Sequence, residues 1–190
     1  MKQDIQRKRK FRRIIIGYPV ALVSVAVLVN LLAFGVAPLL PALPSAPVLV
    51  ALGIAGALLL ANHTWLMTST ELTRLHYGTH ATPEEWAAAG QHADDMTSEA
   101  RAELDRRHNA HRNATENTVL FAFLVLVFAL ASPPPLAAMI WIVGFAMARL
   151  CYSYAYLSGM DGLRGICMSL SLLSLYGIAT YLVMSMLAGV

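Results

Sequence analysis

Charged residues are confined to three stretches of the chain, and long apolar runs separate them. Asp, Glu, Lys and Arg occur only within 2–13, 71–116 and 149–164. A helix that crosses the hydrocarbon core of a bilayer needs about 20 apolar residues. The first apolar run is long enough for two such helices, which the turn sequence PLLPALPSAP separates. The pattern predicts five membrane helices, over about 14–37, 47–69, 112–132, 136–157 and 164–186.

The composition agrees with this pattern. Hydrophobic residues make up 57% of the chain and charged residues 13%, and the mean hydropathy is +0.58. These values exclude an ordinary soluble domain. We therefore predict an all-α integral membrane protein.

The distribution of charge predicts the orientation. If the basic N-terminus KQDIQRKRKFRR is cytoplasmic, segments 71–111 and 158–163 lie on the same side, whereas the outer turns PLLPALPSAP and SPPP carry no charge. This arrangement follows the positive-inside rule, so we expect a cytoplasmic N-terminus, in the inner membrane if the chain is bacterial. The first helix could alternatively be a signal peptide. Its apolar run is longer than a signal core and its cleavage candidates are weak, so we expect it to be retained.

The charged segment 71–111 contains its own helix signals. The sequence TPEEW predicts a short helix that Thr82 caps and Gly90 ends. From about Thr97 the chain has no helix breaker, so we expect one helix to continue into the third membrane span. The prolines of SPPP must end that helix near Ala131.

Counting back from SPPP places polar residues inside the membrane zone. Arg112, Asn113 and Glu116 fall at or just below the cytoplasmic interface. Arg149 lies about 20 Å along the fourth helix from its outer end, at nearly the level of Glu116. Asn62 of the second helix reaches the same layer, as does its neighbour His63.

The spacing of these residues places them on shared helix faces. Asn109 lies on one face with Arg112, Asn113 and Glu116, and the fourth helix has a second polar face. That second face comprises Arg149, Tyr152, Ser153 and Tyr156. Ionisable groups at this depth usually point into a bundle or an aqueous cavity, which predicts a pocket for a small zwitterionic or polyanionic molecule. The more peripheral Arg101, Arg106 and Arg107 are interpreted as interface anchors.

The residue types indicate the chemistry of the ligand. Arginine matches a carboxylate and a buried glutamate matches an amine, so a peptide-like ligand with two carboxylates and an amine fits. If that ligand carries a thiol, whose pKa is ordinarily about 8.5, a nearby guanidinium stabilises the thiolate. A thiolate is a nucleophile that is active at neutral pH.

Two motifs resemble a known family. The stretch RRHNAHRNATEN is similar to the pattern R-x-x-R-A-H-x-N-x-x-E-N of MAPEG proteins, the membrane-associated proteins in eicosanoid and glutathione metabolism. The stretch RLCYSYAYLSGMDGLRG resembles the later family pattern R-x-x-H-x-x-A-Y, which is followed by a short loop and an arginine. The resemblance covers about residues 47–187.

The resemblance implies a four-helix protomer that assembles as a homotrimer, with glutathione bound between neighbouring subunits. Arg112, Asn113 and Glu116 would hold the backbone and amino end of glutathione, and Arg149 and Tyr156 would add polar contacts. The chain would then comprise a basic tail with an extra membrane helix over 1–44 and a MAPEG-like domain over 45–190.

The resemblance also implies a catalytic role for Arg164, which would lie beside the glutathione thiolate. Arg74 would be a further basic residue of the glutathione site. The leading hypothesis is a glutathione-dependent membrane transferase, with peroxidase activity as a further expectation, that acts on hydrophobic electrophiles from the bilayer. Glutathione would be the co-substrate, and membrane lipid and hydrophobic small molecules the other partners.

Four positions depart from the family pattern, and two of them, Gly165 and Met168, favour an alternative. Asn109 stands where arginine is common, and Tyr152 replaces a histidine. Gly165 and Met168 stand where eicosanoid-forming members have serine and tyrosine. The alternative is a non-catalytic lipid- or partner-binding membrane protein of the same fold. A small transporter component is disfavoured, because the polar residues occupy only one half of the membrane.

Other residues suggest no further chemistry. Cys151 and Cys167 are interpreted as packing residues, because their spacing suggests no disulfide framework or metal site. The histidine pairs at 76/80 and 108/111 lack a completing ligand, so we expect no metal. The basic N-terminus is expected to contact anionic lipid rather than nucleic acid.

Overall fold

The computed structural model describes residues 2–189, with side chains from residue 6 onward. Six helices organise this part of the chain. They are α1 (Lys2–Val29, prolonged by a π-helical turn at Asn30–Phe34), α2 (Ala46–Tyr77), α3 (Pro83–Ala88), α4 (Ser98–Leu130), α5 (Pro135–Leu157, with a π-helical turn at Met139–Val143) and α6 (Asp161–Ala188).

Five of these helices are long and apolar enough to cross a membrane, within the described residues. The predicted number of spans and the all-helical membrane fold are confirmed. The predicted ends are less accurate, since α2 continues to Tyr77 and α6 already begins at Asp161. Helical hydrogen bonding does not stop at the membrane surface. The helices end at glycines in the left-handed conformation, with φ +62° at Gly78 and +69° at Gly159.

The helix cap and the helix end that were predicted within segment 71–111 are confirmed. The Thr82 side chain accepts a hydrogen bond from the backbone N–H of Glu85 at 3.3 Å, and Gly90 follows the short α3 with φ +66°. Thr97 caps α4 in the same way, accepting from Ala100 N–H at 3.2 Å. From there α4 runs without interruption to Leu130, next to the prolines that were predicted to stop it.

The main hydrophobic core lies between α2, α4, α5 and α6. Phe121 of α4 stacks on Phe145 of α5 with ring centroids 4.1 Å apart, and Phe128 meets Tyr181 of α6 edge to face at 5.2 Å. Small residues of α2, such as Ala51 and Ala55, are buried in the same cluster. These four helices therefore form a bundle, as the apolar runs predicted.

The first helix is fastened to this bundle by polar contacts. The Asn30 side chain is fully buried, and its Nδ2 donates to the carbonyl of Gly177 at 2.8 Å and to Thr180 Oγ1 at 3.0 Å. Its Oδ1 accepts from Trp141 Nε1 at 2.9 Å. Nearer the other end, the Tyr18 hydroxyl donates to Ser169 Oγ at 2.7 Å. As a result, α1 covers one flank of α6.

The interpretation of the cysteines as unpaired packing residues is wrong. The structure bonds Cys151 of α5 to Cys167 of α6, with Cα atoms 6.0 Å apart. The two helices form an antiparallel hairpin about Gly159, and the two cysteines are equally far from that turn in sequence. Equal distance from a tight turn places residues opposite each other, which spacing rules for metal sites and disulfide frameworks do not capture.

Candidate functional site

Arg149 occupies the interior of the bundle at the layer where polar residues were predicted. Its side chain is fully buried. Nη2 donates to Asn113 Oδ1 of α4 at 2.5 Å, and Nη1 contacts Met168 Sδ of α6 at 3.6 Å. Nε has no hydrogen-bond partner among the described residues, and no carboxylate of residues 6–189 lies within ion-pair distance. A buried cation is therefore left without an anion in the part of the chain whose side chains the structure describes.

A row of aromatic rings continues from Arg149 toward the charged end of the bundle. The guanidinium lies 4.4 Å from the ring centroid of Tyr152, whose ring is 5.8 Å from that of Tyr156. Arg164 lies 5.2 Å from the Tyr156 ring and pairs with Asp161 at 3.2 Å. The structure thus joins Arg149, Tyr156 and Arg164 in one continuous row. We call this row, together with Asn113 of α4, the α5–α6 part of the site.

The remaining predicted residues lie elsewhere on the protomer. Arg112 is exposed and donates to Asn109 Oδ1 at 2.7 Å. Arg74 forms an ion pair with Glu71 and lies 3.3 Å from His108 Nε2. Both arginines line a shallow cavity between α2 and α4. We call this group the α2–α4 part of the site.

Glu116 points outward from the bundle. It is exposed and forms no ion pair with any described side chain. Further along the same side of α4, Val119 and Phe123 are 63% and 70% exposed. The expected convergence of Glu116 with Arg149 therefore does not occur in the described chain.

The model of the MAPEG family matches residues 49–184. The matched range begins after α1 and includes both parts of the site. The chain belongs to the MAPEG family. A search of curated proteins gives no match. MAPEG proteins are membrane proteins of glutathione-related or eicosanoid metabolism, and membership of the family suggests a role of this general kind.

Within the MAPEG-matching region, two contacts were not anticipated. The imidazole rings of His63 and His111 lie 4.9 Å apart between α2 and α4. Spacing along α4 groups His111 with His108, and the depth count places His63 in the polar layer, but neither shows that the rings of His63 and His111 meet. Met168 departs from the family pattern, and its sulfur contacts the buried guanidinium of Arg149.

Proposed function

We propose that this protein is a glutathione-dependent membrane transferase, with peroxidase activity toward lipid hydroperoxides, and that glutathione binds between copies of the chain. The transfer step forms a carbon–sulfur bond between the glutathione sulfur and an electrophilic carbon, as the leaving group departs. Membership of the MAPEG family supports the glutathione link, and the arrangement of Arg149 supports the site.

The single observation that carries the proposal is the buried guanidinium of Arg149, which has no anionic partner among the described side chains. Burying a cation without an anionic partner is costly, so a ligand carboxylate that reaches Arg149 gains a charge-assisted hydrogen bond. Nε is free to donate such a bond, and the buried hydroxyl of Ser153, one turn away, also has no partner within the described chain. These donors fit a carboxylate of glutathione.

Arg164 supplies the second element of the proposed chemistry. Its side chain is 41% exposed at the first turn of α6, so it remains accessible to a ligand that is bound along the tyrosine row. A guanidinium beside a thiol favours the thiolate, which is the nucleophile in transfer. A water-poor cleft strengthens this interaction.

The location of Glu116 supports a site that two subunits share. A carboxylate among exposed apolar side chains is costly against lipid, and a neighbouring protomer would cover it. The α5–α6 part and the α2–α4 part lie on different sides of the exposed face of α4. A head-to-tail contact would bring the two parts together, and three such contacts would close a homotrimer. Glu116 would then meet the amine of glutathione.

A non-catalytic binding protein of the same fold is the second candidate. Arg164 is paired with Asp161, which offsets its positive charge. Gly165 has no side-chain hydroxyl, and Met168 contacts Arg149 through sulfur. These features favour binding without thiolate activation, and the two candidates differ in whether a thiolate forms.

Glutathione binding is tested by thermal stabilisation of the purified protein. Wild type should be stabilised, by about 2.7 kcal/mol when glutathione is present at about 100 times its dissociation constant. Arg149→Met should lose this stabilisation, whereas Arg101→Met, which changes an exposed arginine on α4, should retain it. An unstabilised wild type at millimolar glutathione, or full stabilisation of Arg149→Met, would contradict the proposal.

A further inference from the structure

The first turns of α1 form a strongly basic helix face. Residues 7–13, which we call the basic extension, contain six Lys or Arg side chains and no Asp or Glu. Arg9, Arg12 and Arg13 have i, i+3, i+4 spacing, so they share one face of the helix. All three are exposed, and none forms an ion pair with any described side chain. This face can therefore meet a partner of opposite charge.

A strongly acidic stretch lies between α2 and the first turn of α4. Residues 82–99, which we call the acidic segment, contain five Asp or Glu side chains and no Lys or Arg. None of these carboxylates forms an ion pair with a described side chain, and Glu84 and Asp94 are exposed. The cytoplasmic leaflet, which the segment is predicted to face, is itself negatively charged. A cationic protein surface is therefore a better partner for the acidic segment than lipid is.

The contacts of α1 determine the height of the basic extension. The two helices α1 and α6 run parallel, because Tyr18 bonds to Ser169 and the later Asn30 bonds to the later Gly177. Counting back equally along both helices from the Tyr18–Ser169 contact places Arg9 level with the start of α6. Beyond that level α1 continues to its first residue for about 11 Å. The basic extension therefore lies at and just beyond the level of the α5–α6 turn.

The acidic segment comes to a neighbouring height on the same side of the bundle. The Arg106 guanidinium of α4 lies beside Gly159 of the α5–α6 turn. From Arg106 back to Ser98, where α4 begins, the helix rises about 12 Å. Thus α1 and α4 extend to similar distances beyond the turn, and long side chains such as Arg, Lys and Glu can bridge the remaining difference in level.

The proposed head-to-tail assembly brings these two stretches to one interface. The acidic segment connects α2 with α4, so it belongs with the α2–α4 part of the site. The basic extension begins α1, which covers a flank of α6, so it belongs with the α5–α6 part. In a head-to-tail contact, the α5–α6 part of one copy meets the α2–α4 part of the next. The basic extension of one copy would then face the acidic segment of its neighbour.

We propose that the basic extension of α1 docks on the acidic segment of a second copy of the chain. The additional helix thereby links neighbouring subunits by charge, besides covering α6. This docking rests on the head-to-tail trimer of the proposed function, but it does not depend on glutathione chemistry. Opposite charges across an interface determine which faces meet and disfavour wrong alignments, which gives the docking its specificity.

Carbodiimide crosslinking of the wild-type protein tests this contact, because it joins a lysine amine to a carboxylate only when the two groups are adjacent. All three lysines of the chain lie within residues 2–10, so every lysine crosslink originates at the start of α1. Isotope-labelled copies are assembled with unlabelled copies, and the crosslinked peptides are identified by mass spectrometry. Crosslinks from Lys8 or Lys10 to the acidic segment should include pairs of one labelled and one unlabelled peptide.

Charge reversal supplies a second measurement, in which native mass spectrometry follows dissociation of the trimer on dilution. Arg9→Glu with Arg12→Glu should weaken the trimer about tenfold or more, as should Glu84→Arg with Asp94→Arg, because like charges then face each other. The variant with all four changes should regain the stability of wild type, since opposite charges meet again. Arg101→Glu is the control, because it reverses an exposed charge outside both stretches, and it should dissociate as wild type does.

Several results would overturn the docking. Lysine crosslinks that occur only within one copy, or not at all, would do so, and this measurement remains decisive if the reversed variants fail to fold. A second such result is a four-change variant that stays as weak as its parents. If Arg9→Glu with Arg12→Glu instead weakens binding to phosphatidylserine vesicles and leaves the trimer unchanged, anionic lipid occupies the basic extension. In each case a trimer that still binds glutathione retains the proposed function, whereas a monomeric protein contradicts both proposals.

Discussion

Arg149 shows how burial and charge act against each other at the scale of one residue. Its side chain is fully buried, yet the guanidinium makes only one hydrogen bond to an oxygen, that of Asn113. Replacing even a buried ion pair with apolar side chains of similar size is often neutral or stabilising, and a buried guanidinium that lacks an anion also lacks the attraction of a pair. If Arg149 served only to stabilise the folded protein, its replacement by an apolar side chain would be expected to lower the free energy of unfolding.

Arg149→Met should therefore leave the free energy of unfolding unchanged or raise it in the absence of glutathione. The physical reason is that methionine fills the space without requiring an anion. Thermal unfolding of the ligand-free protein measures this. A clearly lower midpoint than wild type, with Arg101→Met unaffected, would mean that Arg149 is structural and not a ligand-binding residue.

The sequence predicted the depth of the site residues better than their direction. Counting from SPPP placed Arg149 close to the level of Asn113, and the two are hydrogen-bonded. Helical spacing also grouped Glu116 with Asn113 on one broad face. It does not determine how α4 rotates against its neighbours, because that depends on packing of residues such as Phe121 and Phe128. For this reason Glu116 points outward.

At the scale of elements, α1 depends on one buried asparagine. Asn30 joins α1 to both α5 and α6, through Trp141 Nε1 and the carbonyl of Gly177. Interhelical hydrogen bonds of this kind stabilise membrane bundles by modest amounts, and an unpaired buried donor costs more. The extra helix is thus integrated into the bundle by its side chains.

Asn30→Leu should lower the free energy of unfolding by about 1–3 kcal/mol, because the Trp141 indole N–H loses its acceptor. Denaturation in mixed detergent micelles, followed by tryptophan fluorescence, measures the change. Leu31→Ala is the control, since Leu31 is 54% exposed on the same helix and should have little effect. Equal stability of Asn30→Leu and wild type would show that Asn30 does not anchor α1.

Helix number and most stops were predictable because they follow from composition and from prolines. The start of α6 was placed too late, because Asp161 was attributed to a loop, although a charged residue fits a helix end that lies outside the membrane. The pairing of Cys151 with Cys167 was also missed. It depends on the exact turn at Gly159, and the sequence showed only that a short loop exists there.

In the whole molecule, the proposed function requires a second copy of the chain, because the two parts of the site lie apart on one copy. The α5–α6 part contains Arg149, and the α2–α4 part contains Arg112 on a different side of the protomer. In the proposed homotrimer, each site takes one part from each of two neighbours. Separate defects in the two parts should therefore complement each other.

Co-expression of Arg149→Met with Arg112→Ala should restore glutathione binding, although each variant alone binds little. A mixed trimer holds two copies of one variant and one of the other. In both cases about one interface combines an intact α5–α6 part with an intact α2–α4 part. Calorimetric titration of purified mixed assemblies measures the number of sites. Mixed trimers that assemble normally but bind no glutathione would contradict a site shared between subunits.

We propose that the protein converts bound glutathione to its thiolate, and stopped-flow measurement of thiolate absorbance at neutral pH tests this proposal. Wild type should form the thiolate at millimolar glutathione, and Arg101→Ala should behave in the same way. Arg164→Ala should bind glutathione but lose the signal, because each unit by which the thiol pKa rises removes about 1.4 kcal/mol of thiolate stabilisation. Glutathione binding by wild type without any thiolate signal would contradict the claim and leave a non-catalytic binding protein of the MAPEG family.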